Sequence, residues 1–229
     1  MKLTWYGHST FRVEIADSVV LIDPFLKGNP SFEDSGINWI SAVADTTHIA
    51  LTHGHDDHLG DTVEIASINQ AVVFAAYELA LFLGSKGVKK LEPMGQGGRV
   101  NTEFFSLALT HAQHSSSSNG AYLGTACGVI LEEHGGTTLY HMGDTDAFSD
   151  MKLIQTLYKP DIGIVPIGDR FTMGAQTAAY ACKEFFDFKK VIPCHFGTFQ
   201  NLDQNADVFV SHMDGRNVVI PQLGVAVDL

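Results

Sequence analysis

Six consecutive residues, His53-Gly54-His55-Asp56-Asp57-His58, constrain this chain more than any other stretch. They place three imidazoles and two carboxylates one residue after the apolar run Ile49-Ala50-Leu51 in "HIALTHGHDDHLGD". Imidazole nitrogen combined with carboxylate oxygen suits zinc, manganese or iron, whereas calcium and magnesium sites are built mainly from oxygen. A solvated acidic helix start would account for Asp56 and Asp57, because carboxylates are favourable near a helix N-terminus, but it leaves three histidines unexplained. A segment this short cannot complete two coordination spheres. The fold must therefore deliver further ligands from distant parts of the chain.

The patterning around the hexapeptide predicts such a fold. "LTWY", "FRVEI" and "VVLID" read as short strands of an antiparallel meander, separated by Gly7-His8-Ser9 and Asp17-Ser18. Lys27 to Gly36 is a loop by its Gly, Asn, Pro and Ser content. "HIALTH" reads as a buried strand and "HLGDTVEIASI" has helical spacing, which puts the hexapeptide at a strand-to-helix junction. "AVVFAA" continues as a strand and "YELALFLGSKG" as a helix capped by Gly87. "KKLEPM" and "TEFFSLALTHA" are strands flanking the turn "GQGG", and "ACGVILEEHGGTTLYHMGD" is a hairpin with a two-residue turn at Gly135-Gly136. Helices at "DMKLIQTLY", "AQTAAYACKEFF" and "NADVFVSHM" then alternate with strands at "IGIVPIG", "KVIPCH" and "NVVIPQLGVAVDL". Two strand-rich halves, each followed by helices, predict two packed sheets with helices outside. No linker or repeat interrupts them, so residues 1–229 read as a single domain.

Composition narrows the partners. With 26 Asp and Glu against 14 Lys and Arg, the formal net charge is −12, which argues against a nucleic-acid surface and disfavours anionic membranes. No apolar run approaches the roughly 18 residues of a membrane span, and "MKLTWYGHST" has no apolar leader core. Cys127, Cys182 and Cys194 are odd in number and unpaired in spacing, which fits a reducing, cytoplasmic setting. Beyond the scaffold there is little chain for an added recognition domain, so the expected partner is a small-molecule substrate.

Ligand-type residues recur where predicted strands end. His111 and His114 follow "FFSLALT", Asp144 follows "TTLYHMG", Asp169 follows "IGIVPIG" and His195 follows "KVIPC". On position alone, either His111 or His114 could be the strand-end ligand. His53, Gly54, His55, Asp57 and His58 match the H-x-H-x-D-H motif of the metallo-β-lactamase fold superfamily, and His114, Asp144 and His195 follow in the order of its remaining ligand motifs. Asp23 in "LIDPF" resembles the superfamily's upstream aspartate. "GHSTFRVE", "IDPFL", "HAQHSSS", "MGDTDAF" and "CHFGTF" are similar to a group of small prokaryotic metal-dependent hydrolases related to ascorbate-6-phosphate lactonases. The resemblance spans nearly the whole chain, and "His-Ser-Ser-Ser" selects His114 over His111.

The resemblance implies an α+β fold, a four-layer αββα sandwich of two mixed sheets with helices outside, and two divalent transition-metal ions. Zinc is the first expectation, with manganese, iron or nickel as alternatives. His53, His55 and His114 would hold one ion, Asp57, His58 and His195 the other, and Asp144 would bridge both. Asp57 and Asp144 are then the catalytic carboxylates. Two ions about 3.5–4 Å apart would ionise a shared water, and the bridging hydroxide would attack a small ester, lactone or phosphoester. Other readings are a phosphodiesterase acting on RNA or a cyclic nucleotide, a di-iron oxidoreductase, and a non-catalytic metal-binding protein. The di-iron members usually carry Glu where His55 stands.

Around this core, Asp23 and His8 are expected to support ligands, His8 competing with a purely structural hydrogen bond. Ser115, Asp169 and Thr172 are candidate substrate contacts, with helix capping or a polar loop as alternatives. Asp56 falls outside the motif and reads as a cap or solvent-facing residue. His48, His134, His141 and His212 match no ligand motif and read as structural or exposed, and Cys194 as buried core.

Overall fold

The computed structural model describes residues 1–229. The chain opens with the strands β1 (Lys2–Trp5), β2 (Phe11–Ile15) and β3 (Ser18–Ile22), paired antiparallel as the alternation predicts. In β2, Phe11, Val13 and Ile15 are buried while Arg12 and Glu14 are only partly covered, so one face of the strand packs inward. The chain continues through α1 (Pro30–Asp34), α2 (Trp39–Val43), β4 (His48–Ala50), α3 (Asp56–Leu59), α4 (Thr62–Asn69), β5 (Val72–Ala76), α5 (Tyr77–Ser85) and β6 (Leu91–Met94). Strands β3 to β6 pair in parallel, and parallel neighbours need crossovers, which the helices between them supply.

A second sheet follows. It contains β7 (Arg99–Asn101) and β8 (Phe105–His111), then, after a small hairpin of β9 (Ser117–Ser118) and β10 (Ala121–Tyr122), β11 (Cys127–Glu133) and β12 (Thr138–His141). Helix α6 (Met151–Tyr158), β13 (Ile162–Pro166), α7 (Ala175–Phe185), β14 (Lys190–Cys194), α8 (Asp207–His212) and β15 (Val227–Asp228) complete the chain. The first sheet runs β15-β1-β2-β3-β4-β5-β6 and the second β14-β13-β12-β11-β8-β7. Both mix antiparallel and parallel pairs, and they pack as an αββα sandwich. β8 is buried along nearly its whole length, with Phe105, Leu107 and Leu109 at 0% exposure, as a strand covered on both faces must be.

Four local expectations are corrected. Lys27 to Gly36 is not wholly loop: Asn29 caps α1 by accepting from the Ser31 and Phe32 amides, and Pro30 takes the first helical position, where its missing N–H costs nothing. The strand that follows the turn "GQGG" is β7 (Arg99–Asn101), with the strand at "TEFFSLALTHA" coming after it as β8. The turn carries the chain from β6, at the edge of one sheet, to β7, at the edge of the other. The β11–β12 hairpin turns over Glu133 to Gly136, with Gly135 at φ 74° in its third position and the Gly136 amide donating to the Glu133 carbonyl, so Gly135-Gly136 is not its central pair. The C-terminal run is not one strand: Val218 makes an isolated parallel bridge to Val191 of β14 in the second sheet, and the chain then crosses to the first sheet, where β15 pairs with β1.

Candidate metal centre

Strand direction explains why residues far apart in sequence meet. β1 and β3 are both antiparallel to β2, and β4 is parallel to β3, so β1, β3 and β4 run the same way. His8, Asp23 and the hexapeptide follow their C-terminal ends. In the second sheet, β8 and β12 are both antiparallel to β11, and β13 and β14 continue parallel to β12. His114, Asp144 and His195 follow the C-terminal ends of β8, β12 and β14. Each sheet thus presents its ligand-type residues at one edge.

At that edge two groups form. His53 Nε2 lies 3.0 Å from His55 Nδ1, and His114 Nε2 lies 3.2 Å from the same atom. Beside them, Asp57, His58 and His195 cluster with His8, Asp57 Oδ2 being 3.2 Å from His8 Nε2 and 3.9 Å from His195 Nε2. Asp144, 2% exposed, stands between the groups. Its Oδ1 is 3.3 Å from His58 Nε2, and its Oδ2 is 3.1 Å from His195 Nε2, 3.6 Å from His114 Nε2 and 3.9 Å from His53 Nε2.

One buried carboxylate orders the protons on two of these rings. Asp23 Oδ2 is 2.7 Å from His58 Nδ1, and Oδ1 accepts from the Thr52 amide at 2.8 Å. The Thr52 hydroxyl donates its single proton to Asp23 at 2.6 Å, which leaves its oxygen to accept from His53 Nδ1 at 3.0 Å. A carboxylate only accepts, so both Nδ1 atoms carry hydrogen and both Nε2 atoms face the centre. His55 reaches the same result from outside: its Nε2 is 3.2 Å from Ser115 Oγ, which leaves Nδ1 inward.

Electrostatics follow from burial and charge. Burial, reinforced by neighbouring imidazoles, holds His53 well below its ordinary pKa, and burial lowers His114 as well. His8 is pushed down to about 4 by burial and by His195. Burial would also lower His58, but the carboxylates of Asp144 and Asp23 outweigh it and raise His58 well above the usual range. Asp144 and Asp57 are held below the carboxylate range because flanking imidazoles, led by His195 and His58 for Asp144 and by His58 and then His8 for Asp57, overcome their desolvation.

These residues fit metal ions. His58 Nε2, Asp144 Oδ1 and His195 Nε2 are fully buried, and none has a hydrogen-bond partner in the protein. Buried polar groups left unsatisfied are costly and rare in native folds. His53 Nε2 and His55 Nδ1, each with its other nitrogen engaged outward, face one another at 3.0 Å, an arrangement a shared cation relieves. Neutral imidazoles and ionised carboxylates are the forms that ligate; burial favours the neutral form of His53 and His114, and the imidazoles keep Asp57 and Asp144 ionised, whereas His58, raised by Asp144 and Asp23, would give up its Nε2 proton to a bound cation.

The remaining candidates take definite places. His111 is exposed at the end of β8, 3.3 Å from Gln96 Oε1 and edge-on to Phe148, so His114 is the histidine at the centre. Asp56 is exposed at the start of α3 and accepts from Ser118 Oγ at 2.6 Å. Ser116 and Ser118 hold the β9–β10 hairpin on the hexapeptide, Ser116 Oγ accepting from the Gly54 amide at 3.0 Å. Asp169 and Thr172 share a turn, the Thr172 amide donating to the Asp169 carbonyl at 2.6 Å, and neither bonds to the cluster. His48 is half-buried against Phe74 and Phe105. His134 is exposed and His212 is half-buried.

Three contributors carried no motif. Thr52 relays Asp23 to His53, and Thr198 Oγ1 sits 3.1 Å from His8 Nδ1. His141 Nε2 is 3.2 Å from the Ser9 carbonyl and its Nδ1 accepts from the Gly143 amide at 3.0 Å, tying the turn that holds His8 to the loop that holds Asp144.

Residues 2–195 match the beta-lactamase superfamily domain model. The chain therefore belongs to the metallo-β-lactamase superfamily, as a metal-dependent hydrolase. A UPF0173 metal-dependent hydrolase from Methylocella silvestris is 51% identical over 98% of both chains, and one from Brucella anthropi is 53% identical over 93% of this chain and 92% of its own. Among solved structures, a metallo hydrolase from the hyperthermophilic archaeon Ignicoccus hospitalis shares 30% identity with a TM-score of 0.85, covering 100% of this chain and 98% of that one.

Proposed function

We propose that residues 1–229 form one domain whose centre holds two divalent transition-metal ions and hydrolyses a small ester, lactone or phosphoester in the cytoplasm. His53, His55 and His114 would hold one ion, and Asp57, His58 and His195 the other. Asp144 would serve both. The observation that carries this reading is the position of Asp144, whose Oδ1 lies 3.3 Å from His58 Nε2 and whose Oδ2 lies 3.1 Å from His195 Nε2 and 3.6 Å from His114 Nε2, so that one carboxylate borders both triads, the two nearest nitrogens being buried and without hydrogen-bond partners.

When bound, such a pair of ions, zinc first among the candidates, supplies a water ionised near neutral pH and a Lewis acid for the substrate oxygen. The protein's own groups prepare the site. Asp23 and Thr52 keep the His53 and His58 ring nitrogens aimed inward. Asp144 remains ionised in a buried position. Asp57, its side chain 32% exposed, keeps an oxygen where it can accept a hydrogen bond from a water and orient that water for attack. The net charge of −12 favours a small substrate over a polynucleotide.

The test is to reconstitute the protein separately with zinc, manganese, iron and nickel and assay lactones, thioesters, phosphodiesters and phosphorylated sugars. Turnover of at least one class that rises with the second metal equivalent is the expected result. Protein that retains no transition metal after reconstitution contradicts it.

A further inference from the structure

His8 occupies a place that no ligand motif explains. It is 0% exposed and has φ 51°, a left-handed conformation that few residues other than glycine adopt, histidine being among those that do. That bend sends its two functional ends to different elements. The ring faces the hexapeptide, with Nε2 3.2 Å from Asp57 Oδ2. The carbonyl faces the end of β14 and accepts from the His195 amide at 3.1 Å.

Both ends are braced. The Trp5 indole N–H donates to the same carbonyl at 3.1 Å, and Trp5 stacks on Phe196 with centroids 5.5 Å apart. Because Asp57 can only accept, His8 Nε2 carries the hydrogen, and Nδ1 of the neutral ring accepts from the Thr198 hydroxyl at 3.1 Å. Thr198 lies three residues after His195, so the loop that supplies the histidine also fixes the ring that supports it. His8 makes no hydrogen bond to His53, His55 or His114, and its close ring neighbour within the centre is His195, at 4.0 Å.

We infer that His8 is a positioning residue for one half of the centre: its side chain aims Asp57 and its backbone holds His195, so it governs occupancy of the second ion without touching the first. The inference rests on the two-ion reading proposed above. Groups that orient metal ligands in this way change metal affinity by roughly 10–100-fold when removed.

Cobalt(II) titration of metal-free protein, followed by calorimetry and by visible absorption, tests it on the wild type, His8→Ala, His8→Gln and Thr198→Val. The wild type takes up two equivalents. His8→Ala keeps the first at wild-type affinity and weakens the second by on the order of 10–100-fold. His8→Gln, whose amide donates from the same position as Nε2, recovers most of that loss, and Thr198→Val shows a smaller loss confined to the second equivalent. The glutamine and valine variants decide the matter if the alanine variant fails to fold. A second equivalent unaffected by His8→Ala, a parallel weakening of both equivalents, or no recovery in a folded His8→Gln overturns the inference. A wild type that binds only one equivalent removes the two-ion reading itself, whatever the variants do, and the inference with it.

Discussion

Asp23 reaches two imidazoles at once, one directly and one through a threonine hydroxyl, and this makes Thr52 more consequential than its residue type suggests. Thr52→Val keeps the shape but leaves an oxygen of Asp23 and Nδ1 of His53 short of a partner in a dry site. We expect a loss of about 1–3 kcal/mol of stability in urea melts and a roughly tenfold or greater drop in metal affinity, both largely spared in Thr52→Ser. Asp144→Asn should abolish hydrolysis and deplete metal while leaving the circular dichroism spectrum unchanged, and undiminished turnover would rule out its bridging role. His141 gives a pH prediction. Burial lowers its pKa, and the Gly143 amide, donating to Nδ1, requires the neutral ring. The unfolded chain then takes up the proton first, so this contribution is complete above about pH 6.5 and is lost as pH falls from there toward the folded value. Metal-free His141→Gln should therefore lose less stability than wild type between pH 7.5 and 5.5 in denaturant melts. At this scale the seven converging side chains were legible because a dense motif and strand-end positions announced them. Thr52, Thr198 and His141 were not, because their roles exist only through contacts such as that between residues 8 and 198, 190 positions apart.

The elements that carry the hexapeptide depend on close approach. A Cβ on Gly54 would lie 2.6 Å from Leu123 Cδ1, so the residue between His53 and His55 must be small for the β9–β10 hairpin to lie over it. Gly60, at φ 41°, ends α3 where the backbone of Pro24 and Phe25 passes, and a Cβ there would lie 2.4 Å from the Pro24 carbonyl oxygen. Gly54→Ala should displace the hairpin, break the Ser116 contact and cost about 1–3 kcal/mol, read as a lower melting temperature together with weaker metal binding at His55. The meander, the strand-to-helix junction and the Gly87 cap followed from periodicity and turn residues. Gly87, at φ 101°, lets the Val88 amide reach the Leu83 carbonyl at 3.1 Å, as a glycine-ended helix requires. Asn29-Pro30 is a sound start signal for α1, but a five-residue helix has too little periodicity to outweigh its loop-like composition. The valines and isoleucine of the C-terminal run fit a strand, but it pairs at only two places, Val218 in a single bridge to Val191 and Val227–Asp228 against β1.

Across the whole molecule, two sheets each present the C-terminal ends of similarly directed strands at one edge, and the centre assembles between them. Sequence patterning predicts the sheets and the helices outside them; it does not reveal that "GQGG" and the C-terminal segment are the places where the chain changes sheets, since pairing partners are set by tertiary contact. The proposed ligands come from both sheets, which would make metal binding a link between them, so chelation should lower the melting temperature. Free metal at 100 times its dissociation constant corresponds to about 2.7 kcal/mol of stabilisation. No helix is long and apolar enough to cross a membrane. The most direct test of the central claim is anomalous diffraction from zinc-loaded crystals. Two peaks are predicted, one among His53, His55 and His114 and the other among Asp57, His58 and His195, each in contact with Asp144. A single peak, or peaks away from Asp144, would contradict it.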